Sequence, residues 1–183
     1  MGRPAGEFLN DIAAGREDAF ARLYDDYGAS LLRAATRISR RREDGEDAVQ
    51  DVFVALVRAG PAALEIQDLK AYLFSAVHRA AVKRSEKRRS ERPMESSELE
   101  KLDHATANAA QPAEPAPRLE RALASLPDEQ RAVIALKIDG DLTFEQIAAA
   151  LNVSANTAAS RYRYALEKLR VALEPTRSER SAP

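Results

Sequence analysis

The chain has 183 residues, a formal net charge of −1 and no cysteine. That length holds one domain or two small ones, and the near-zero charge means that any nucleic-acid surface is local rather than global. The lack of thiols excludes disulfides and cysteine-based metal or catalytic sites, and agrees with a reducing cytoplasm.

The two histidines, His78 and His104, lie far apart with no second ligand at metal spacing, so neither a metal nor a cofactor is expected. The start, Met-Gly-Arg-Pro-Ala-Gly, lacks the apolar stretch of a signal peptide and the Ser or Thr of a myristoylation signal. No apolar run is long enough to span a bilayer. Abundant Ala, Leu, Glu and Arg favour helix throughout, so the expected fold class is all-α, in a cytoplasmic protein.

From Glu7 to Arg42, Phe20, Leu23, Tyr24, Tyr27, Leu31, Leu32, Ala35 and Ile38 recur at helical steps. Gly28 is expected to bend or break this run, because Gly costs about 1 kcal/mol in a helix interior relative to Ala. The charged stretch that follows predicts a short turn and the start of the next helix over Asp44–Asp47. A helix is then expected from about Glu46 to Ala59, with Val49, Val52, Phe53, Leu56 and Val57 inward. Asp47, Gln50, Asp51 and Arg58 are left facing solvent or a partner. Gly60-Pro61 ends this helix. Leu64, Ile66 and Leu69 anchor a short irregular segment.

A longer helix begins near Asp68 and turns Tyr72, Leu73, Ala76, Val77, Ala80 and Ala81 inward. Its later part is basic: His78, Arg79, Lys83, Arg84, Lys87, Arg88, Arg89 and Arg92. Such a run reads either as a solvated helix end that complements the dipole or as a phosphate-binding surface. Its density in a chain of net charge −1 favours the second. Residues 93–117 are rich in Pro, Ala, Ser and Glu with few large apolar side chains, the composition of a flexible acidic linker. This divides the chain into a first domain at 7–92, a second at 118–174 and a polar tail at 175–183.

In the second domain Leu119, Ala122, Leu123 and Leu126 form a short amphipathic helix that Pro127 stops. Asp128 and Glu129 then open a helix with Val133, Ile134, Leu136 and Ile138 on its apolar side, ended by Gly140. Thr143 and Gln146 have the spacing of a capping box, and Ile147, Ala148 and Leu151 follow on one face. Asn152 tolerates the left-handed turn, Val153 plugs the core and Ser154 caps the next helix. There Ala158, Tyr162, Ala165, Leu166 and Leu169 share one face. Asn156, Ser160, Arg163 and Glu167 share the other, with Thr157 and Tyr164 on its shoulder. Two helices about a tight turn with a polar outer face describe a helix-turn-helix, although a solvated helical hairpin has the same pattern. The outer face offers donors suited to base edges and phosphates, which favours DNA.

Two helical domains, a basic helix, an acidic linker and a C-terminal helix-turn-helix together resemble the sigma-70 family, specifically the small two-domain sigma factors of the extracytoplasmic-function (ECF) group. The resemblance runs from Phe20 to Leu173. EDAVQDVFVALVR, at Glu46–Arg58, is similar to the family's helix for the clamp helices of RNA polymerase. DLKAYLFSAVHRAAVKRSEKRR, at Asp68–Arg89, is similar to its −10 recognition and melting element. The block from Ser125 to Arg170 is similar to its −35-binding domain. Leu69, Lys70, Ala71 and Tyr72 stand where the family commonly has Pro-Arg-Ala-Trp. Ala159, Tyr164 and Leu166 occupy frequently basic positions, and Asn152 replaces a common turn Gly.

The resemblance implies a non-enzymatic factor that binds core polymerase through Asp47, Gln50 and Asp51. It implies that Arg79, Lys83 and Arg84 hold phosphates of the −10 region while Tyr72 and His78 lie near the melted strand, with Tyr72 reading equally well as an ordinary core residue. It further implies that Asn156, Thr157, Ser160, Arg161, Arg163 and Tyr164 meet the −35 element, with Arg161 on the backbone. The linker is expected to thread the polymerase's active-site and RNA-exit channels, and an anti-sigma factor is expected as a further partner. A stand-alone helix-turn-helix regulator is the alternative, but the dimerisation or sensing domain usual for that class is not evident.

Overall fold

The computed structural model describes residues 5–91 and 115–174, and every regular element among them is helical. The first region contains α1 (Ala5–Ala13), α2 (Glu17–Leu23), α3 (Ala29–Ser39), α4 (Arg42–Ala59) and α5 (Leu69–Glu91). The second contains α6 (Pro115–Ala124), α7 (Asp128–Ile134), α8 (Phe144–Leu151) and α9 (Ala155–Leu173). The expected linker lies outside the described residues except at its end, where α6 begins at Pro115, ahead of the expected boundary. The polar tail beyond Glu174 also lies outside them.

Local chemistry sets the helix ends. The first break falls at Gly15, with φ +71°, not at Gly28. Gly28 instead closes a π turn over Tyr24–Gly28 that carries α2 into α3. A Cβ at Gly28 would stand 3.1 Å from the Tyr24 ring, so the glycine leaves room for that side chain. Arg40, at φ 65°, ends α3 in the left-handed conformation, and α4 starts immediately after Arg41. The turn expected over Asp44–Asp47 is therefore helix. Glu43 and Asp44 occupy its first turn, where the helix dipole favours carboxylates. Gly45 is tolerated inside it because α3 and α4 approach closely: a Cβ there would be 2.6 Å from Thr36 Oγ1.

Several apolar positions expected inward lie outward. Tyr24 is 62% exposed, Val57 52%, Leu64 49%, Leu119 42% and Ile138 58%. Ala63, Phe74 and Leu142 are buried and take up space in the interior instead. Asp68 caps α5 by accepting the Ala71 N–H at 2.9 Å. Along α5, Leu73, Phe74, Val77 and Ala81 are buried while Tyr72, Ala76 and Ala80 are half-buried.

The two regions share an interior. One apolar cluster runs from Leu23, Leu31, Leu56, Phe74 and Val77 into Val133, Leu136, Leu142 and Ile147. A smaller cluster of Ala122, Leu126, Ile134, Ala165 and Leu169 belongs to the second region alone. The regions meet where α3 packs on α7 and the π turn Ala135–Asp139, and where α5 packs on α8. Gly140 permits that approach, since a Cβ on it would be 2.9 Å from Phe74 Cδ1.

Candidate nucleic-acid interface

The helix-turn-helix is built by the expected caps. The Gln146 N–H donates to Thr143 Oγ1 at 3.2 Å, and the Thr143 N–H donates to Gln146 Oε1 at 2.7 Å. Asn152 ends α8 at φ 53° and ψ 51°, in the left-handed region that Asn tolerates. Ser154 Oγ then accepts the Thr157 N–H at 3.0 Å and starts α9. Phe144 and Tyr162 meet edge-on at 5.7 Å between ring centres, fixing α8 against α9.

On α9, Ala158, Ala165 and Leu169 are buried, whereas Leu166, expected inward, is 43% exposed. Asn156, Arg163 and Tyr164 are exposed, and Thr157, Ser160 and Arg161 are half-buried. The Arg163 guanidinium lies 5.5 Å from the centre of the Tyr164 ring, so a cation and an aromatic face stand together at the surface. Thr157 Oγ1 shares a 2.8 Å hydrogen bond with Ser154 Oγ. Arg161 is turned toward α7 and pairs with Glu129 at 2.9 Å.

The basic run on α5 separates into two rows. Arg79 and Lys83 are exposed, and no ion pair among the described residues engages them. Arg84 faces α4: Nη1 donates to Asp47 at 2.8 Å and Nη2 to Asp51 at 2.7 Å. Arg88 reaches Asp44 at 2.7 Å. The structure thus joins Arg84, expected on DNA, to Asp47 and Asp51, expected on polymerase. Gln50 lies beside them on the exposed face of α4. Val54 and Val57 continue that face, and Tyr24 packs on Phe53 with ring centres 5.9 Å apart.

Tyr72 is half-buried against the shared core. His78 borders a cleft of about 350 Å³ between the two regions, with Arg89, Asp128, Glu129 and Arg161 around it. Burial first, and the neighbouring Arg79 charge second, lower the His78 pKa to about 4. His78 is therefore a neutral ring at physiological pH.

The sequence matches the Sigma-70 region 2 profile over residues 23–91 and the Sigma-70, region 4 profile over residues 122–171. The chain belongs to the sigma-70 family. It is 28% identical over 174 residues to the ECF RNA polymerase sigma factor SigK of Mycobacterium ulcerans (strain Agy99), with 91% of each chain covered. A solved structure of CnrH in complex with the cytosolic domain of CnrY superposes with a TM-score of 0.63 at 24% identity, covering 92% of this chain and 96% of that one. The sigma factor is of the ECF group: it works with core RNA polymerase at promoter DNA, directs promoter recognition and initiation, and is not itself an enzyme. Among its described residues no helix is long and apolar enough to cross a membrane, and no side-chain cluster could hold a metal ion.

Sequence reasoning missed the cationic row of α3, Arg33, Arg37 and Arg40, which meets Asp139 and Asp128 of region 4. The residues in each pair lie far apart in sequence, so no local spacing announces them.

Proposed function

We propose that this cytoplasmic sigma factor grips polymerase with one face of α4 and DNA with the exposed rows of α5 and α9. Asp47, Gln50 and Asp51 present carboxylates and an amide to basic and polar groups of the clamp helices, flanked by the exposed Val54 and Val57. Arg84 serves this face by holding both carboxylates in register. Arg79 and Lys83 hold phosphates of the −10 region. Tyr72 and His78 lie on the same helix, where a ring offers a stacking surface to an unpaired base. On α9, Asn156, Thr157 and Ser160 read base edges, while Arg163 and Tyr164 bear on the backbone, and Arg161 joins them once released from Glu129.

The observation that carries this reading is the separation of charge on neighbouring helices. An outward acidic face on α4 stands beside an outward basic row on α5, with Arg84 between them. Reversing one carboxylate, Asp51→Arg, is expected to weaken core binding at least tenfold in a pull-down and to lower promoter-directed transcription in parallel. Unchanged core affinity would remove α4 from the polymerase interface.

A protein inhibitor is the further partner proposed, an anti-sigma factor that occupies the polymerase- or DNA-facing surfaces. The similarity in fold to CnrH, solved with the cytosolic domain of CnrY, supports it.

A further inference from the structure

Among the described residues, the edge of region 2 that faces region 4 carries more cations than region 4 answers with carboxylates. Arg33 and Arg37 stand one turn apart on α3 and Arg40 follows at its end, so the three share one face over about 10 Å. Arg89 of α5 meets this row at Asp128. Asp139, whose side chain is only 4% exposed, accepts from Arg37 at 2.9 and 3.3 Å and lies 3.6 Å from Arg33. Asp128 pairs with Arg40 at 3.0 Å and Arg89 at 3.5 Å, but it is shared with its own region's Arg131. The side chains of Arg33 and Arg89 stay 59% and 69% exposed. The carboxylates at the start of α4 do not cancel this excess, because Glu43, Glu46 and Asp44 are engaged by Arg41, Arg42 and Arg88.

Two well-placed cations would hold two carboxylates. Four cations spaced along one edge suit a longer polyanion, and about 10 Å is the axial length of about three phosphates on one DNA strand. The grip of Arg37 on Asp139 is two-pronged, the geometry by which a guanidinium takes carboxylate and phosphate oxygens alike. The row is thus already shaped to receive anionic oxygens from outside region 2.

We propose that Arg33, Arg37 and Arg40 of α3, with Arg89 of α5, form a second DNA contact of region 2 that holds backbone phosphates of the spacer duplex between the −10 and −35 elements. This rests on the sigma-factor reading, in which α5 takes one element and α9 the other. The elements lie about 25 base pairs apart, roughly 85 Å at 3.4 Å per base pair, so region 4 on its own element carries Asp128 and Asp139 away from the row. Arg89 lies beyond Arg79 and Lys83 toward the end of α5, and the row continues from it onto α3. Duplex that leaves α5 toward α9 passes along it. Contacts of this kind read no bases; they add affinity and salt dependence on every promoter.

The test uses the full chain assembled with core polymerase, on a duplex promoter fragment that wild-type holoenzyme selects from a random library. Promoter affinity is measured across salt concentrations. Arg33→Gln with Arg40→Gln should lower the slope of log affinity against log salt by about two, at unchanged core affinity. Arg33→Lys with Arg40→Lys should restore the slope, and Asp128→Asn with Asp139→Asn should keep it. If the glutamine pair fails to fold, Arg33→Gln alone, at an exposed side chain, should lower the slope by about one. The chain lacks cysteine, so an iron chelate attached at Arg33→Cys can cut nearby DNA, and its cuts should fall in the spacer. An unchanged slope in the glutamine variants, or no cuts in the spacer, would overturn the proposal. So would an equal loss of slope in the asparagine pair, which would leave the row only fastening region 4. Weakened core binding at an unchanged slope would place the row on a protein surface and overturn it as well. Wild-type holoenzyme that selects no fragment is a distinct result, which would sink the sigma-factor reading and this one with it.

Discussion

His78 shows how burial decides the behaviour of one side chain. Its ring is largely enclosed, its Nδ1 has no hydrogen-bond partner among the described residues, and its pKa is lowered to about 4. The surrounding charges are Arg79 on its own helix, Glu86 and Arg89 further along it, and Asp128, Glu129 and Arg161 from region 4. Because the folded pKa lies below the unfolded value of about 6.5, the unfolded chain takes up the proton first. The contribution of His78 is fully present above pH 6.5 and is lost as pH falls toward 4, by about 3 kcal/mol at most. Urea unfolding at pH 7 and pH 4.5 should show a larger loss for wild type than for His78→Gln. Equal losses would mean that the ring is solvated in the folded chain. Asp128 behaves oppositely: desolvation pushes its carboxyl up, but the hydrogen bond and charge of Arg131, with Arg40 and Arg89, hold it below the usual range. At this scale the caps were legible in the sequence. Thr143, Gln146, Asn152 and Ser154 act within a few residues of themselves, so spacing suffices to identify them. The environment of His78 was not legible, because its neighbours come from another region.

At the scale of elements, α9 reads outward through Asn156 and Arg163, which should fail in different ways. Asn156→Ala should cost about 1–3 kcal/mol and relax preference at one base of the −35 element. Arg163→Ala should weaken holoenzyme on all promoters alike and reduce the salt dependence of binding by about one unit of slope. A promoter library read at two salt concentrations separates them, and identical profiles would contradict the division of labour. The helices themselves were evident from periodicity, but two of their details were not. Asp44–Asp47 looked like a turn because it is charged and contains Gly45. The close contact with Thr36 that makes this glycine useful is tertiary. The basic run of α5 looked like a single phosphate surface, yet Arg84 and Arg88 turn to α4. Arginines one turn apart share a face, but only the neighbouring helix reveals which carboxylates that face meets.

For the whole molecule, the continuous core has a thermodynamic consequence. Regions that share buried side chains such as Phe74, Leu136 and Ile147 are expected to unfold as one unit. Thermal transitions followed by circular dichroism and by a dye on Lys168→Cys should therefore coincide in the free chain. In Asp128→Asn with Asp139→Asn they should separate, as each region melts by itself. Non-coincident transitions in wild type would show that the seam contributes little.

The sequence by itself determined most of the helices, the caps of the helix-turn-helix, that motif itself and the family. Each depends on residues near one another in the chain or on the order of blocks along it. Only the tertiary structure decided which cations stay free, which apolar residues face out, and that region 4 folds back on region 2. The reason is physical: an ion pair such as Arg37–Asp139 joins residues 102 apart, and its energy depends on burial and geometry that no local pattern encodes.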